Sequence, residues 1–364
     1  MVFADDQRLI VMTLLLNNAE VSRLITMRDC IDVLEEAYRE HGQGRAAHRR
    51  RSNIVVPIGE GKSYTFANFE GTVIKSGYHA IRLRSDVQEW LDEDRKRTTK
   101  WASRPGLFCG LALLYNIHTG ELEGILNDGY LQVMRVGATS AVAGKYLSRE
   151  DAAAVGIIGA GNQARSHAEA MCAIRPVRKI KVTSLRRESR AAFAREMEPK
   201  LKVEIAPVDS AEEAFAGSDI VCLCTDSSEP FVRPEWIEPG MFVASSRPFG
   251  EVGREALAFF DIAVAHERGF TPQLKPAESA RKYSDAPGVR ENKDEKLLPS
   301  NTLAELCAGK ISGRTRPGQR CYFANNEGHG IQFSAAGAVV LRRAREMRIG
   351  RELPTEWFLQ DITT

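Results

Sequence analysis

The run Val155-Gly156-Ile157-Ile158-Gly159-Ala160-Gly161-Asn162-Gln163-Ala164 places small residues where a strand would pass into a helix. Gly159 permits a tight turn, Gly161 lets the backbone approach a diphosphate, and Ala164, in the third position, allows close helix-to-strand packing. Free amides at the start of the following helix, among them those of Asn162 and Gln163, would then meet the phosphates. The chemistry expected here is dinucleotide binding. The next strand ends Thr183-Ser184-Leu185-Arg186-Arg187, with no carboxylate to engage the ribose hydroxyls of NAD or to repel a 2′-phosphate. Ser184, Arg186 and Arg187 are therefore expected to receive that phosphate, so NADP(H) is favoured and NAD(H) remains possible. Glu188 could instead pair with either arginine at a solvated helix start. Thr139, Thr225 and Ser227 complete the expected cofactor contacts.

A second chemistry is carried by arginines beside strand-like segments: Arg49-Arg50-Arg51, Arg82 with Arg84, and Arg135. A guanidinium fork binds a carboxylate at two points, and a small acid needs such a clamp to aim its alpha carbon at a nicotinamide. Arg135 stands out because it sits among apolar and small residues, where a buried cation without an anion is costly.

The elements that must position these groups change rhythm along the chain. Through residue 147 the pattern is mixed. Thr26 can cap a helix whose Cys30, Leu34, Ala37 and Tyr38 share one face, ending near Gly42 and Gly44. Strand-like runs follow at Ser52–Ile58, Tyr64–Phe69, Tyr78–Leu83, Leu111–Ile117 and Glu121–Leu126, the last two joined by a turn at His118-Thr119-Gly120. From Ala152 short apolar runs alternate with helical stretches: strands at Ala153–Ile158, Ile180–Thr183, Val203–Ile205 and Ile220–Cys224, with helices from Gln163, through Phe193 and around Ala211. That alternation predicts an α/β fold: a Rossmann-type parallel sheet domain over 148–324, beside an α+β substrate-binding and dimerisation domain over 1–147 that 325–364 completes. The charged stretch Gly269–Pro299 reads as a surface insertion and Ile331–Arg348 as an amphipathic helix.

Length and composition bound the remainder. With 364 residues, two domains are expected. Fifty Lys and Arg against 48 Asp and Glu leave +2, too little field to hold nucleic acid or a membrane surface. Seven scattered cysteines read as reduced core thiols, and Cys222-Leu223-Cys224 is too tight for a zinc or redox pair, so no metal is assigned. The early apolar run Leu9–Leu16 is too short to span a bilayer, and a cytoplasmic protein is expected.

Taken together, the residues resemble the ornithine cyclodeaminase/mu-crystallin family from about Arg51 onward. The most specific part is Arg135 to Leu147 followed at once by Gly156–Ala164; Thr119-Gly120-Glu121, and Ser246-Arg247-Pro248 with Arg254-Glu255, match as well. The resemblance implies a homodimer, a C-terminal helix returning to the first domain, and nicotinamide-dependent chemistry on a small amino or imino acid. It implies carboxylate binding by Arg51, Arg82 and Arg135. Two departures matter. Arg82 stands where the family usually has lysine, which keeps the charge but loses a tunable amine. Ser246 stands where cyclodeaminases carry an aspartate, which disfavours ammonia-releasing cyclisation and resembles the mu-crystallin branch, whose relatives reduce cyclic ketimines with NADPH. The expected function is an NAD(P)-dependent oxidoreductase at a C–N bond, reducing an imino acid or dehydrogenating an amino acid, with Arg82, Ser246, Glu70 and His329 as candidates for the catalytic proton. The alternatives are an NAD-dependent cyclodeaminase and a noncatalytic NADP-binding, crystallin-like protein.

Overall fold

The computed structural model describes residues 12–90, 98–227, 229–269, 273–274 and 298–362. Most of the 269–299 stretch lies outside them.

Two sheets organise the chain. The first is built from β1 (Thr13–Leu16), β2 (Ala46–Gly59), β3 (Lys62–Val73), β4 (Tyr78–Trp90), β5 (Thr98–Ala102), β6 (Arg104–Pro105), β7 (Cys109–Asn116) and β8 (Leu122–Asn127). Strands β2, β3, β4, β7 and β8 run antiparallel in sequence order, the pattern that short turns impose. The turn before β8 uses Gly120 in the left-handed region, φ 78°. Three strands are longer than their apolar runs suggest: β2 starts six residues before Ser52, β3 ends at Val73 and β4 at Trp90. Along β3, Thr65, Ala67, Phe69, Gly71 and Val73 are buried in strict alternation, so one face of this sheet is core.

The second sheet contains β9 (Ala154–Ile158), β10 (Lys179–Thr183), β11 (Glu204–Pro207), β12 (Ile220–Leu223) and β13 (Phe242–Ser245), in the order β11-β10-β9-β12-β13 and all parallel. This is the doubly wound arrangement, with its topological switch point between β9 and β12. Beyond β13 come Cys321–Ala324, then Ile262–Ala265, then Asn301–Thr302. The strands are continuous apolar runs because helices cover both faces.

Helix α1 (Asn18–Leu24) and helix α2 (Met27–Gly42) each begin with a capping box, Asn17 with Glu20 and Thr26 with Asp29. Helix α3 (Gly129–Leu147) carries the Arg135 segment, which has no amphipathic rhythm because the helix is buried nearly all round. Gly137 lets α3 touch α4 (Asn162–Ile174): a Cβ there would lie 2.2 Å from Ser166 Oγ. Helix α5 (Arg187–Leu201) follows β10.

The closing helix, Gly330–Met347, returns to the first sheet. It packs so closely that a Cβ on Gly337 would meet Leu114 at 2.5 Å and one on Gly124 would meet Leu341 at 2.7 Å. Arg343 fixes it to the start of α2 by bonds of 2.6 and 2.7 Å to the two Asp29 oxygens. From the other side, Gln273–Leu274 pairs in parallel with Asn53–Ile54 of β2. No helix among the described residues is long and apolar enough to cross a membrane.

Candidate active site

The phosphate cradle forms where β9 and β12 end side by side. Gly159 has φ +110°, and a Cβ there would lie 2.3 Å from Cys224 O, so only glycine fits. Gly161 has nothing within 4 Å of the place its Cβ would occupy and caps α4 without any side-chain bond, leaving the first amides of Asn162, Gln163 and Ala164 outward-facing. Ala164 is fully buried. These features fit a dinucleotide diphosphate. Ser184 donates to Arg186 O at 3.0 Å, closing the loop after β10, and Arg186 and Arg187 extend exposed at the start of α5. Thr139 is placed elsewhere: its hydroxyl donates to Arg135 O at 2.7 Å and accepts from Gln332 Nε2 at 2.7 Å, within the core.

The loops after β12 and β13 meet on one carboxylate, Glu251, which is fully buried. Thr225 donates to its Oε1 through both N–H and Oγ1 at 2.8 Å, and Ser245 Oγ and the Arg247 N–H donate to its Oε2 at 2.7 and 3.0 Å. Ser227 N–H donates to Thr225 Oγ1 at 3.2 Å. Ser246 is partly buried at the end of β13, its N–H donating to Leu223 O at 3.1 Å. The sequence marked Thr225, Ser227 and Ser246 but not the acid that orders them.

The core side of the first sheet gathers positive charge. Arg82, Arg84 and Asp86 alternate along β4 and so share a face, and Lys100 stands opposite Gln88 on that same face. Arg82 is buried over the Phe69 ring, with Nε donating to Asp128 Oδ2 at 2.5 Å. Arg84 pairs with Asp86 at 2.6 Å. Arg51 donates from Nε to Asn53 Oδ1 at 3.0 Å. Arg135 enters from α3, 8% exposed; among the described residues its Nη1 donates to Gln332 Oε1 at 3.3 Å and its Nε has no hydrogen-bond partner. Gly328 lies against it: a Cβ there would be 3.1 Å from both Nη atoms.

The electrostatics follow from this crowding. Burial lowers Arg135 to about 10, helped by Arg82 and Arg51. Burial also lowers Arg51 to about 10, with Arg84 and Arg82 adding to the repulsion. Lys100 is lowered to about 8, first by burial and then by Arg84, with Arg51 and Arg247 also acting. The guanidiniums of Arg51 and Arg135 stay charged near neutrality, so positive charge is concentrated on this face.

Glu70 does not reach this cluster. It lies on the opposite face of β3 from Phe69 and pairs with Arg49 across the strands. His329 caps the closing helix and is 2% exposed; burial lowers it to about 4, so it is neutral at physiological pH. Asp128, Gln332, Lys100 and Glu251 join the site without a sequence motif that marks them. Asp128 precedes α3 and Gln332 follows His329 by three, so their places beside helix starts were the available signal.

The ornithine cyclodeaminase/mu-crystallin family model matches residues 105–347. A Delta(1)-pyrroline-2-carboxylate reductase of Bacillus cereus is 30% identical over 306 residues, 83% of this chain and 87% of that protein. Among solved structures, the Delta(1)-pyrroline-2-carboxylate reductase of Thermococcus litoralis, in complex with NADH and L-proline, superposes with a TM-score of 0.75 at 26% identity, covering 94% of this chain and all of that one. An archaeal alanine dehydrogenase dimer with bound NAD shares the fold, with a TM-score of 0.72 at 23% identity over 94% of this chain and 98% of that one. With two thirds of its length matched by the family model and a relative 30% identical over 83% of it, this chain belongs to the ornithine cyclodeaminase/mu-crystallin family.

Proposed function

We propose that this NAD(P)-dependent oxidoreductase reduces the carbon–nitrogen double bond of a small imino acid, or runs the reverse dehydrogenation, with the substrate carboxylate on Arg135, Arg51 and Arg82. The observation that carries the reading is Arg135, a buried guanidinium with one long bond to a neutral amide and two like charges beside it. Such a group costs the free protein stability that a bound anion would return. Arg82, tethered by Asp128, supplies a fixed second fork, and Arg51, bonded to Asn53, supplies a third guanidinium. The bound dinucleotide supplies hydride chemistry at its nicotinamide. The named relatives, pyrroline-2-carboxylate reductases, support a cyclic imino acid as the first substrate to try. A spectrophotometric panel at roughly 340 nm, pairing NADPH and NADH with cyclic imines, keto acids plus ammonia, and amino acids in reverse, tests the reading. Turnover confined to carboxylate-bearing substrates supports it; no cofactor consumption with any of them overturns it.

We assign proton delivery to Lys100, the one amine on the charged face of β4 and β5 among the described residues, which returns the group that Arg82 cannot supply. An acid must be protonated to act, so kcat for imine reduction should fall as pH rises through about 8. In Lys100→Met that fall should vanish and kcat should drop roughly a hundredfold, with KM little changed. A profile identical to that of the unaltered protein removes Lys100 from the mechanism.

The exposed pair Arg186 and Arg187 supports NADP(H) as the preferred cofactor. Arg186→Ala combined with Arg187→Ala should weaken NADPH binding by roughly tenfold or more and NADH binding by about twofold or less. Titrations showing equal losses would mean these side chains do not read the phosphate. We also place the protein in the cytoplasm as a homodimer. Seven free cysteines support the first, and the exposed Ile54, Ile58, Leu107 and Phe108 on and beside the long strands support the second.

A further inference from the structure

Gln332, on the first turn of the closing helix and fully buried, is bonded at both ends of its amide. Its Oε1 accepts from the His329 N–H at 2.9 Å and from Arg135 Nη1 at 3.3 Å, and its Nε2 donates to Tyr38 Oη at 2.8 Å and to Thr139 Oγ1 at 2.7 Å. The surrounding protons fix which end faces Arg135. The His266 imidazole lies between Glu327 O, 2.5 Å from Nδ1, and Tyr38 Oη, 2.8 Å from Nε2. A carbonyl only accepts, so Nδ1 carries the ring proton. Burial first, then His329 and Arg135, hold this ring far below its usual pKa and so neutral, which leaves Nε2 to accept from the Tyr38 hydroxyl. The Thr139 proton is committed as well, to Arg135 O at 2.7 Å. Both hydroxyls therefore turn lone pairs to Gln332, and an NH₂ group is what satisfies them. The amide oxygen is left for Arg135.

This partner carries no charge. Arg82 donates to the Asp128 carboxylate, and Arg84 lies 2.6 Å from that of Asp86. Arg135 is met by a neutral dipole instead. An amide oxygen orients a guanidinium and leaves its charge in place, whereas a carboxylate of the same shape would form an internal ion pair and compete with any carboxylate that arrives.

We propose that Gln332 is a positioning residue: its uncharged amide, oriented by His266 through Tyr38, aims Arg135 without neutralising it and so keeps the guanidinium open to the substrate. The role rests on Arg135 receiving the substrate carboxylate, as proposed above. It draws on both halves of the chain. Tyr38 lies on α2, Arg135 and Thr139 lie on α3, and His266 follows Ile262–Ala265 of the second sheet.

The test compares Gln332→Glu with Gln332→Met in the full-length protein, using NADPH and the carboxylate substrate of highest kcat/KM in the panel above, pyrroline-2-carboxylate first. Gln332→Glu should raise KM roughly a hundredfold or more, with a much smaller change in kcat and dinucleotide affinity within about threefold. Gln332→Met keeps the charge of Arg135 and loses only its aim, so KM should rise about tenfold. Stability should run in the opposite order. The introduced carboxylate still accepts from Arg135 and the His329 N–H, while methionine leaves that N–H unmade, so Gln332→Glu should have the higher Tm and the weaker substrate binding. A merely structural glutamine would make KM follow Tm. Circular dichroism confirms that each variant is folded. No turnover by the unaltered protein across the whole panel overturns the assigned reaction and this role together. Turnover by the unaltered protein, with an unchanged KM in either folded variant, or with the larger rise in Gln332→Met, overturns this role alone.

Discussion

Replacing Arg135 by methionine should lower kcat/KM for the imino acid by about a thousandfold, because truncating one partner of a buried, hydrogen-bonded charge pair costs roughly 2–5 kcal/mol. Dinucleotide affinity should stay within about threefold, since the cradle at Gly159 is built from β9, α4 and the end of β12, with no contribution from Arg135. A third readout separates a clamp from a structural strut. Arg135 is desolvated, leaves Nε unpaired and is repelled by Arg82 and Arg51, so its removal should leave Tm unchanged or raise it. Gln332 would lose one long bond but retain those to Tyr38, Thr139 and the His329 N–H. A variant that melts early yet binds substrate normally would refute the assignment.

Glu251→Gln should be the most damaging change that leaves size intact. Four donors converge on its two oxygens, and two of them are backbone N–H groups of Thr225 and Arg247 that cannot rotate away. An amide offers one oxygen, so one buried N–H must face an NH₂ group, at a cost of about 1–3 kcal/mol for each donor left unmade. The expected result is a Tm lower by several degrees and weaker cofactor binding, because the loops carrying Ser227 and Ser246 lose their common anchor. Differential scanning calorimetry with a dinucleotide titration checks both. An unchanged Tm would show that water already completes this site.

Much of the fold was legible because local signals and global demands agree. The Thr26 cap starts α2 at Met27, and the glycine fingerprint falls between β9 and α4 as its spacing requires. The Rossmann order follows from alternating apolar runs, which must be buried on both faces. Strand length was less legible. β2 and β4 run beyond their apolar stretches through charged residues such as Arg49 and Glu89, which pair with Glu70 and Lys62 across the sheet. Burial of α3 was hidden as well, since a helix packed on all sides has no polar face to set a period.

The site was legible in its charges and obscure in its partners. Arg135 announced itself as a cation among small residues. Asp128, Gln332 and Glu251 did not, because each holds a residue distant in sequence, Arg82, Arg135 and Thr225 respectively. Glu70 shows the converse error: in sequence it neighbours Phe69, which faces the clamp, but the strand's two-residue period turns it to the other side. His48, Glu267 and His329 come together only in the folded chain, so no spacing motif could reveal their contact.

In the proposed reaction hydride reaches the carbon that bears nitrogen in a substrate held by its carboxylate. Mass spectrometry of the product formed with NADPH, or NADH, carrying deuterium at both C4 positions measures this directly. The product should carry one deuterium, located on the carbon adjacent to the carboxylate, with one dinucleotide oxidised per product. Ammonia release with no net cofactor oxidation, or product free of deuterium, would contradict it.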